Sequence, residues 1–381
     1  MAQRAIRARN DTPARPGPVH QDGLRNAAVE AERRHGRGAG LNVTGRYEAE
    51  VRTGFDDGWT ELDLPPLRTE VQSEAARTII TRNQSPDLNF DRSINPYRGC
   101  EHGCIYCFAR PTHAYMGLSP GLDFETRLFV KPNAAALLER ELSAPGYQIK
   151  PIAMGTNTDP YQPIEREHRI TRSVLEVLAA ANHPVMIVTK SHLVTRDIDI
   201  LGPMAEKGLA KVALSVTTLD RKLARAMEPR AATPARRLDA LQKLAEAGIP
   251  AGVLVAPVIP ALNDSEIERI LDAAEAVGVR EAGYVLLRLP LEVSELFRDW
   301  LLREYPNRFQ HVMNILRSMR GGKDYDAEWS KRMRGTGPYA WTIGRRFELA
   351  AKRLGINKAR VKLRTDLFVP PRKGGVQLAL F

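Results

Sequence analysis

Three cysteines within eight residues constrain this chain more than any other feature: Cys100-Glu-His-Gly-Cys104-Ile-Tyr-Cys107, entered through Asn95-Pro-Tyr-Arg-Gly. They are the only cysteines in 381 residues. An odd number cannot complete a disulfide framework, and a chain this long can bury a core without one. Three thiols so close together point instead to a shared metal centre. Iron–sulfur clusters are ordinarily held by four thiolates, so a set of three implies a cluster with one iron left open. An open position is what a catalytic metal keeps for its substrate. The same residues admit a structural zinc site with His102 or His113 as fourth ligand, although zinc ligands are more often spaced as two separated pairs. Gly99 and Gly103 suit such a loop, because glycine lets the backbone wrap closely and aim N–H groups at sulfur.

From about residue 86 the chain alternates short apolar runs with amphipathic stretches of helical period. Strands are expected over Leu88–Ile94, Ile149–Met154, Val185–Thr189, Val212–Val216, Gly252–Val258 and Tyr284–Leu289. Helices are expected near 133–143, 168–181, 197–207, 234–247 and 264–277. Gly208, Gly248 and Gly278 stand just past three of them, where a terminating glycine belongs. Asn263 or Asp264 is placed to cap the fifth, with Glu266 and Glu268 in its first turn. Such alternation gives a parallel sheet, and the cysteine loop follows its first strand.

C-x3-C-x2-C with an aromatic residue before the last cysteine (Tyr106) resembles the radical S-adenosylmethionine (radical SAM) superfamily. The resemblance implies an α/β fold: a partial (β/α)6 barrel of TIM type spanning 86–305. It also implies a 4Fe–4S cluster on Cys100, Cys104 and Cys107. SAM would chelate the open iron and be cleaved reductively to a 5′-deoxyadenosyl radical, with electrons from an external donor. Chemistry in such barrels collects at the C-terminal ends of the strands. There the second strand ends in Met154-Gly-Thr-Asn-Thr-Asp159 rather than the Gly-Gly-Glu-like segment common in the superfamily, leaving Gly155, Thr156, Thr158 and Asp159 as candidate acceptors for the SAM amino group. Thr189-Lys190-Ser191 and Ser215-Val-Thr-Thr218 resemble the spore photoproduct lyase branch, which implies contacts from Lys190 and Ser215 to the SAM carboxylate and ribose. Ala256–Pro260 would face the adenine. That branch uses a further cysteine as hydrogen donor, and this chain has none; Tyr97, Tyr115 or Tyr161 would have to substitute.

Outside the barrel, residues 1–45 read as a disordered basic tail and 46–85 as an N-terminal extension, with a short strand at Thr78–Thr81. Residues 306–369 form a basic C-terminal extension, with a helix over Tyr339–Leu354 and a half-buried strand at Val361–Arg364. From Lys331 onward there are thirteen Lys/Arg against two acids, which accounts for the whole net charge of +11. Basic ends suggest a polyanionic partner, most simply DNA. Residues 370–381 read as a flexible tail whose last five, Gln377-Leu378-Ala379-Leu380-Phe381, resemble the pentapeptide by which bacterial repair proteins dock on the DNA sliding clamp. No apolar run approaches a membrane span, the N-terminus lacks the apolar core of an export signal, and the thiols are unpaired, so the expected compartment is the cytoplasm. The function expected is hydrogen-atom abstraction from DNA in a repair-type reaction. The alternatives are radical modification of RNA or protein, or a non-catalytic metal-stabilised nucleic-acid binder.

Overall fold

A computed structural model describes residues 28–48, 51 and 66–371. Its ten strands are β1 (Glu70–Ser73), β2 (Ile80–Arg82), β3 (Arg92–Ile94), β4 (Tyr97–Arg98), β5 (Arg127–Val130), β6 (Ile152–Met154), β7 (Val185–Thr189), β8 (Ala210–Ser215), β9 (Ala251–Val258) and β10 (Glu281–Leu286). Seven form one sheet in the order β10-β9-β8-β7-β6-β3-β2. β3, β6, β7, β8, β9 and β10 run parallel, and β2 lies antiparallel on the outer side of β3. The sheet is open among the described residues, with β10 and β2 as its edges.

The parallel strands are rich in Val, Ile and Ala because helices cover the sheet and leave little solvated surface. Helices Ala134–Leu142, Ile170–Ala180, Ile198–Glu206, Pro234–Glu246 and Ile267–Ala276 separate successive strands. Each turns an apolar stripe inward; in Ile170–Ala180 that stripe is Ile170, Val174, Leu175, Val177 and Leu178. Gly208, Gly248 and Gly278 adopt φ of 72°, 71° and 91°, the left-handed conformation that ends a helix. The expected helices and most of the expected strands therefore stand close to their predicted bounds; the first strand, expected over Leu88–Ile94, is only Arg92–Ile94, with a turn before it.

A second, three-stranded sheet in the order β1-β5-β4 was not legible in the sequence. Its edge strand β4 hands the chain directly to Gly99 and Cys100. The expectation of a disordered tail over 1–45 does not hold for residues 28–45. Ala39, Leu41 and Val43 are buried, and Gly38 and Ala39 donate their N–H groups to Glu125 at 2.8 and 2.9 Å. Residues 1–27 lie outside the described residues, as do Gln377, Leu378, Leu380 and Phe381.

Two further expectations need correction. Asn263 does not cap its helix with its side chain. It binds Ile259 N (2.6 Å), Thr217 O (2.7 Å) and Pro257 O (3.0 Å), tying together the loops after β8 and β9. Asp264 accepts from Tyr339 Oη at 2.5 Å. Val361–Arg364 forms no strand. After helix Gly337–Arg353 the chain runs as a belt past the loops that precede the strands. Asn357 N reaches Arg280 O, Arg364 N reaches Gly208 O and Val369 N reaches Ala181 O, each at 2.9 Å. The Asn357 side chain takes both polar groups of Ala282 on the outer edge of β10, each at 3.0 Å. Residues 357–369 thus pack at the end of the sheet opposite the cysteine loop.

Candidate metal and cofactor centre

The cysteine loop leaves the C-terminal end of β3 by way of β4 and is fixed by buried polar groups. Arg110 donates to Cys104 O (3.0 Å), Gly103 O (3.2 Å) and Gly121 O (2.8 Å) while pairing with Glu125. Gln162, from the loop after β6, donates to Gly99 O at 3.1 Å and accepts from Glu101 N at 2.8 Å. Ile105 N reaches Met227 O at 3.0 Å. At Gly103, φ is 66°, and a Cβ would stand 2.6 Å from Glu125 Oε2, so only glycine fits.

Cys100 and Cys104 are buried and Cys107 is half-buried. Burial pushes all three thiols up, Cys104 to about 12. The Glu228 carboxylate adds to the effect at Cys104, and Asp159 and the other two thiols add to it at Cys100. At Cys107 the Arg110 charge and the Ala109 N–H oppose it. Thiolates are the metal-binding form, so holding three of them here calls for a strongly cationic group between them. Among the described residues, no three His, Cys, Asp or Glu side chains converge on a single-ion position. A cluster has no such need, because each thiolate binds a different iron. The neighbouring histidines are engaged elsewhere. His102 Nδ1 lies 3.3 Å from Asp159 Oδ2, and His113 Nε2 lies 2.9 Å from Arg127 O with its ring edge-on to Phe124. The residues present fit a three-thiolate cluster better than a tetrahedral zinc ion.

Around the thiols the ends of β6, β7 and β8 supply a buried electrostatic framework. Asp159 accepts from Thr189 Oγ1 (2.7 Å), Lys190 N (2.8 Å) and Tyr161 N (2.9 Å). Burial raises its pKa, but His102 and these donors outweigh that and hold it at about 2. Tyr106 donates its hydroxyl to Glu228, Thr217 donates to the same carboxylate at 2.7 Å, and Arg237 pairs with it. Burial of Glu228 is likewise overcome, chiefly by Arg237 and Lys190, leaving it at about 2. Lys190 Nζ stands 5.8 Å from the Tyr106 ring centroid and makes no hydrogen bond or ion pair among the described residues.

Cys100, Cys104, Cys107, Tyr106, Asp159 and Lys190 are therefore brought into one region. The other candidates differ. Gly155 is a structural necessity: at φ 83°, a Cβ there would lie 1.8 Å from Val188 O. Thr158 Oγ1 is committed to Tyr97 O (2.9 Å) and Ser215 Oγ to Ala256 O (2.8 Å), while Thr156 is half-buried. Sequence reasoning missed Glu228, Arg237, Thr217, Gln162, Arg110 and Glu125. Each is a polar residue in a turn or on a helix whose burial follows only from the tertiary fold.

The parallel α/β sheet thus gathers three thiols and an unpaired lysine at its C-terminal edge. The radical SAM superfamily's sequence model matches residues 94–274, and this chain belongs to that superfamily. It is 37% identical over 232 residues to an uncharacterized protein of Mycobacterium tuberculosis, covering 60% of this chain and 68% of the relative. It is 29% identical over 222 residues to an uncharacterized protein of Methanocaldococcus jannaschii, covering 58% and 79%. Among solved structures, spore photoproduct lyase complexed with dinucleoside spore photoproduct superposes with a TM-score of 0.55 at 17% identity, covering 75% of this chain and 80% of the other. That likeness is one of fold. Superfamily membership implies SAM and an iron–sulfur cluster. Among the described residues, no helix is long and apolar enough to cross a membrane.

Proposed function

We propose that this protein is a radical SAM enzyme acting on DNA in a repair-type reaction, built on a partial (β/α)6 barrel. The observation that carries the reading is the set of three closely spaced thiols near Lys190, with no fourth protein ligand converging on them among the described residues. Cys100, Cys104 and Cys107 would hold a 4Fe–4S cluster, leaving one iron for SAM. Bound there, the cluster would supply the one-electron chemistry for reductive cleavage of SAM, with electrons from an external donor. The chain's own part is electrostatic and positional. Lys190 offers an unspent ammonium to the SAM carboxylate. Glu228, pinned by Arg237 and Thr217, fixes the Tyr106 ring against the site. Gly155 lets the loop after β6 approach β7 closely enough to line the SAM amino group, alongside Thr156, Thr158 and Asp159. Ser215, committed to the Ala256 carbonyl, would shape the ribose pocket through the backbone rather than its hydroxyl.

DNA as substrate is supported by the spore photoproduct lyase fold and by the basic ends of the chain. The C-terminal Gln377, Leu378, Leu380 and Phe381 add a route to newly made DNA, since docking on a sliding clamp would raise the enzyme's local concentration there. Clamp should bind the intact chain and not one ending at Val376; equal binding by both removes this partner. The central test is anaerobic reconstitution. About four irons per chain, lost in Cys104→Ala, together with 5′-deoxyadenosine from reduced protein and SAM, support the reading. One tightly bound zinc with no iron uptake would instead establish the binding-module alternative.

A further inference from the structure

Beside the least buried thiol lies an aromatic surface that the cluster and SAM leave unused. Phe108, immediately after Cys107, is 44% exposed, and Tyr115 in the same segment is 68% exposed. Tyr115 stacks on Tyr47, itself 49% exposed, with ring centroids 5.2 Å apart and planes at 25°. The loop after β10 ties these rings into one face. Its Arg288 guanidinium lies 4.8 Å from the Phe108 centroid. Its Glu292 holds Arg46 at 2.6 Å, and Arg46 lies 5.5 and 5.9 Å from the rings of Tyr47 and Tyr115. Leu291, between those two loop residues, is exposed as well.

Solvent-exposed rings are costly to leave uncovered, and a stacked tyrosine pair with a free outer face is a platform for another flat π-system. Apart from the Arg46–Glu292 pair, the charges on this face are guanidinium groups. Arg288 has no carboxylate partner among the described residues. Its Nη1 is 3.6 Å from Met333 Sδ, which brings the short basic helix Lys331–Arg334 alongside. Arg334 also lacks a carboxylate partner, resting 4.2 Å over the Tyr284 ring. Rings for bases next to unneutralised guanidinium groups for phosphates are what single-stranded nucleic acid requires.

We infer that Phe108, Tyr115 and Tyr47, with Arg288 and Arg334, form a stacking platform for unpaired bases of a DNA strand, presenting an extruded nucleotide beside the cysteine loop. The inference rests on the DNA reading above and adds that the strand is bound unpaired. It places Tyr115 on the substrate face rather than in the radical chemistry.

The test is fluorescence anisotropy with a labelled oligothymidylate and a duplex of equal length, at 50 and 200 mM salt, using the full chain. The intact protein should bind the single strand more tightly than the duplex. Tyr115→Ala and Phe108→Ala should each weaken single-strand binding by about five- to a hundredfold at unchanged salt slope, as loss of one base stack does. Tyr115→Trp should retain binding, which a merely structural role for the tyrosine hydroxyl would not permit. Arg288→Ala should reduce the slope of log affinity against log salt by about 0.7. If the intact protein binds DNA and both alanine variants bind it equally well, the platform is wrong and the DNA reading survives. If the intact protein binds neither oligomer even at 50 mM salt, the DNA reading itself fails.

Discussion

Glu125 is where the N-terminal segment, the cysteine loop and a buried cation meet, so Glu125→Gln is a discriminating perturbation. The carboxylate pairs with Arg110, both side chains being fully buried, and accepts the N–H groups of Gly38 and Ala39. Glutamine keeps the shape but removes the charge, and its amide turns a donor toward one of those N–H groups. Removing one partner of a buried ion pair costs about 3–5 kcal/mol, because the other charge stays buried and unopposed. The unpaired N–H adds roughly 1–3 kcal/mol, although the two penalties overlap and do not sum. A loss of about 4 kcal/mol is expected, which shifts the folding equilibrium roughly a thousandfold against a domain stability of about 5–15 kcal/mol. The control is Glu348→Gln, which breaks an exposed pair with Arg345 and should cost no more than about 1 kcal/mol. Urea unfolding of the cluster-free protein at neutral pH measures both. Limited proteolysis within residues 28–48 gives a local readout, since that segment loses its anchor. A Glu125→Gln loss no greater than that of Glu348→Gln, with the segment still protected, would refute the argument that this pair clamps the loop.

Glu228 predicts a pH dependence. Its folded pKa is lowered to about 2 from an ordinary value of 4.5, so its contribution is fully present above the ordinary value and is lost as pH falls through the folded one. Stability should fall between about pH 5 and 2, with a shallower fall in Glu228→Gln over the same window; parallel curves would count against it. Lys190→Ala should reduce SAM affinity by about tenfold or more while iron content stays constant, because the ammonium touches no sulfur ligand and a charge-assisted hydrogen bond contributes roughly 1.5–3 kcal/mol. Isothermal titration alongside an iron assay separates the two effects, and equal loss of both would make Lys190 a loop-stabilising residue.

Much of this fold is written in periodicity. The apolar runs at Val185–Thr189 and Gly252–Val258 and the terminating glycines at 208, 248 and 278 locate the parallel sheet from sequence alone. The cysteine loop was legible for a different reason: three thiols at fixed spacing have few other uses. The electrostatic frame around it was not. Glu228 sits in a Met-Glu-Pro turn and Arg237 on a helix with Arg236 beside it, patterns that read as solvent-facing. Only the arrival of β8 and the loop after it buries them together. Residues 28–45 deceived in the same way, since their small apolar residues carry no periodic pattern and become buried only where they meet Gly103, Gly121 and Glu125. Val361–Arg364 alternates like a strand, yet it finds no strand to pair with, and the edge of β10 near it is occupied by the Asn357 amide.

That amide has a consequence for how the protein is made. Asn357 closes an exposed strand edge from 75 residues farther along the chain. During synthesis at about 5–20 residues per second, β10 emerges roughly 4–15 s before its partner. For that interval the growing sheet presents an open edge, the feature through which nascent chains pair with one another. Until Asn357 leaves the ribosome, solubility depends on something other than the finished fold, and substitutions there would show first as lost yield.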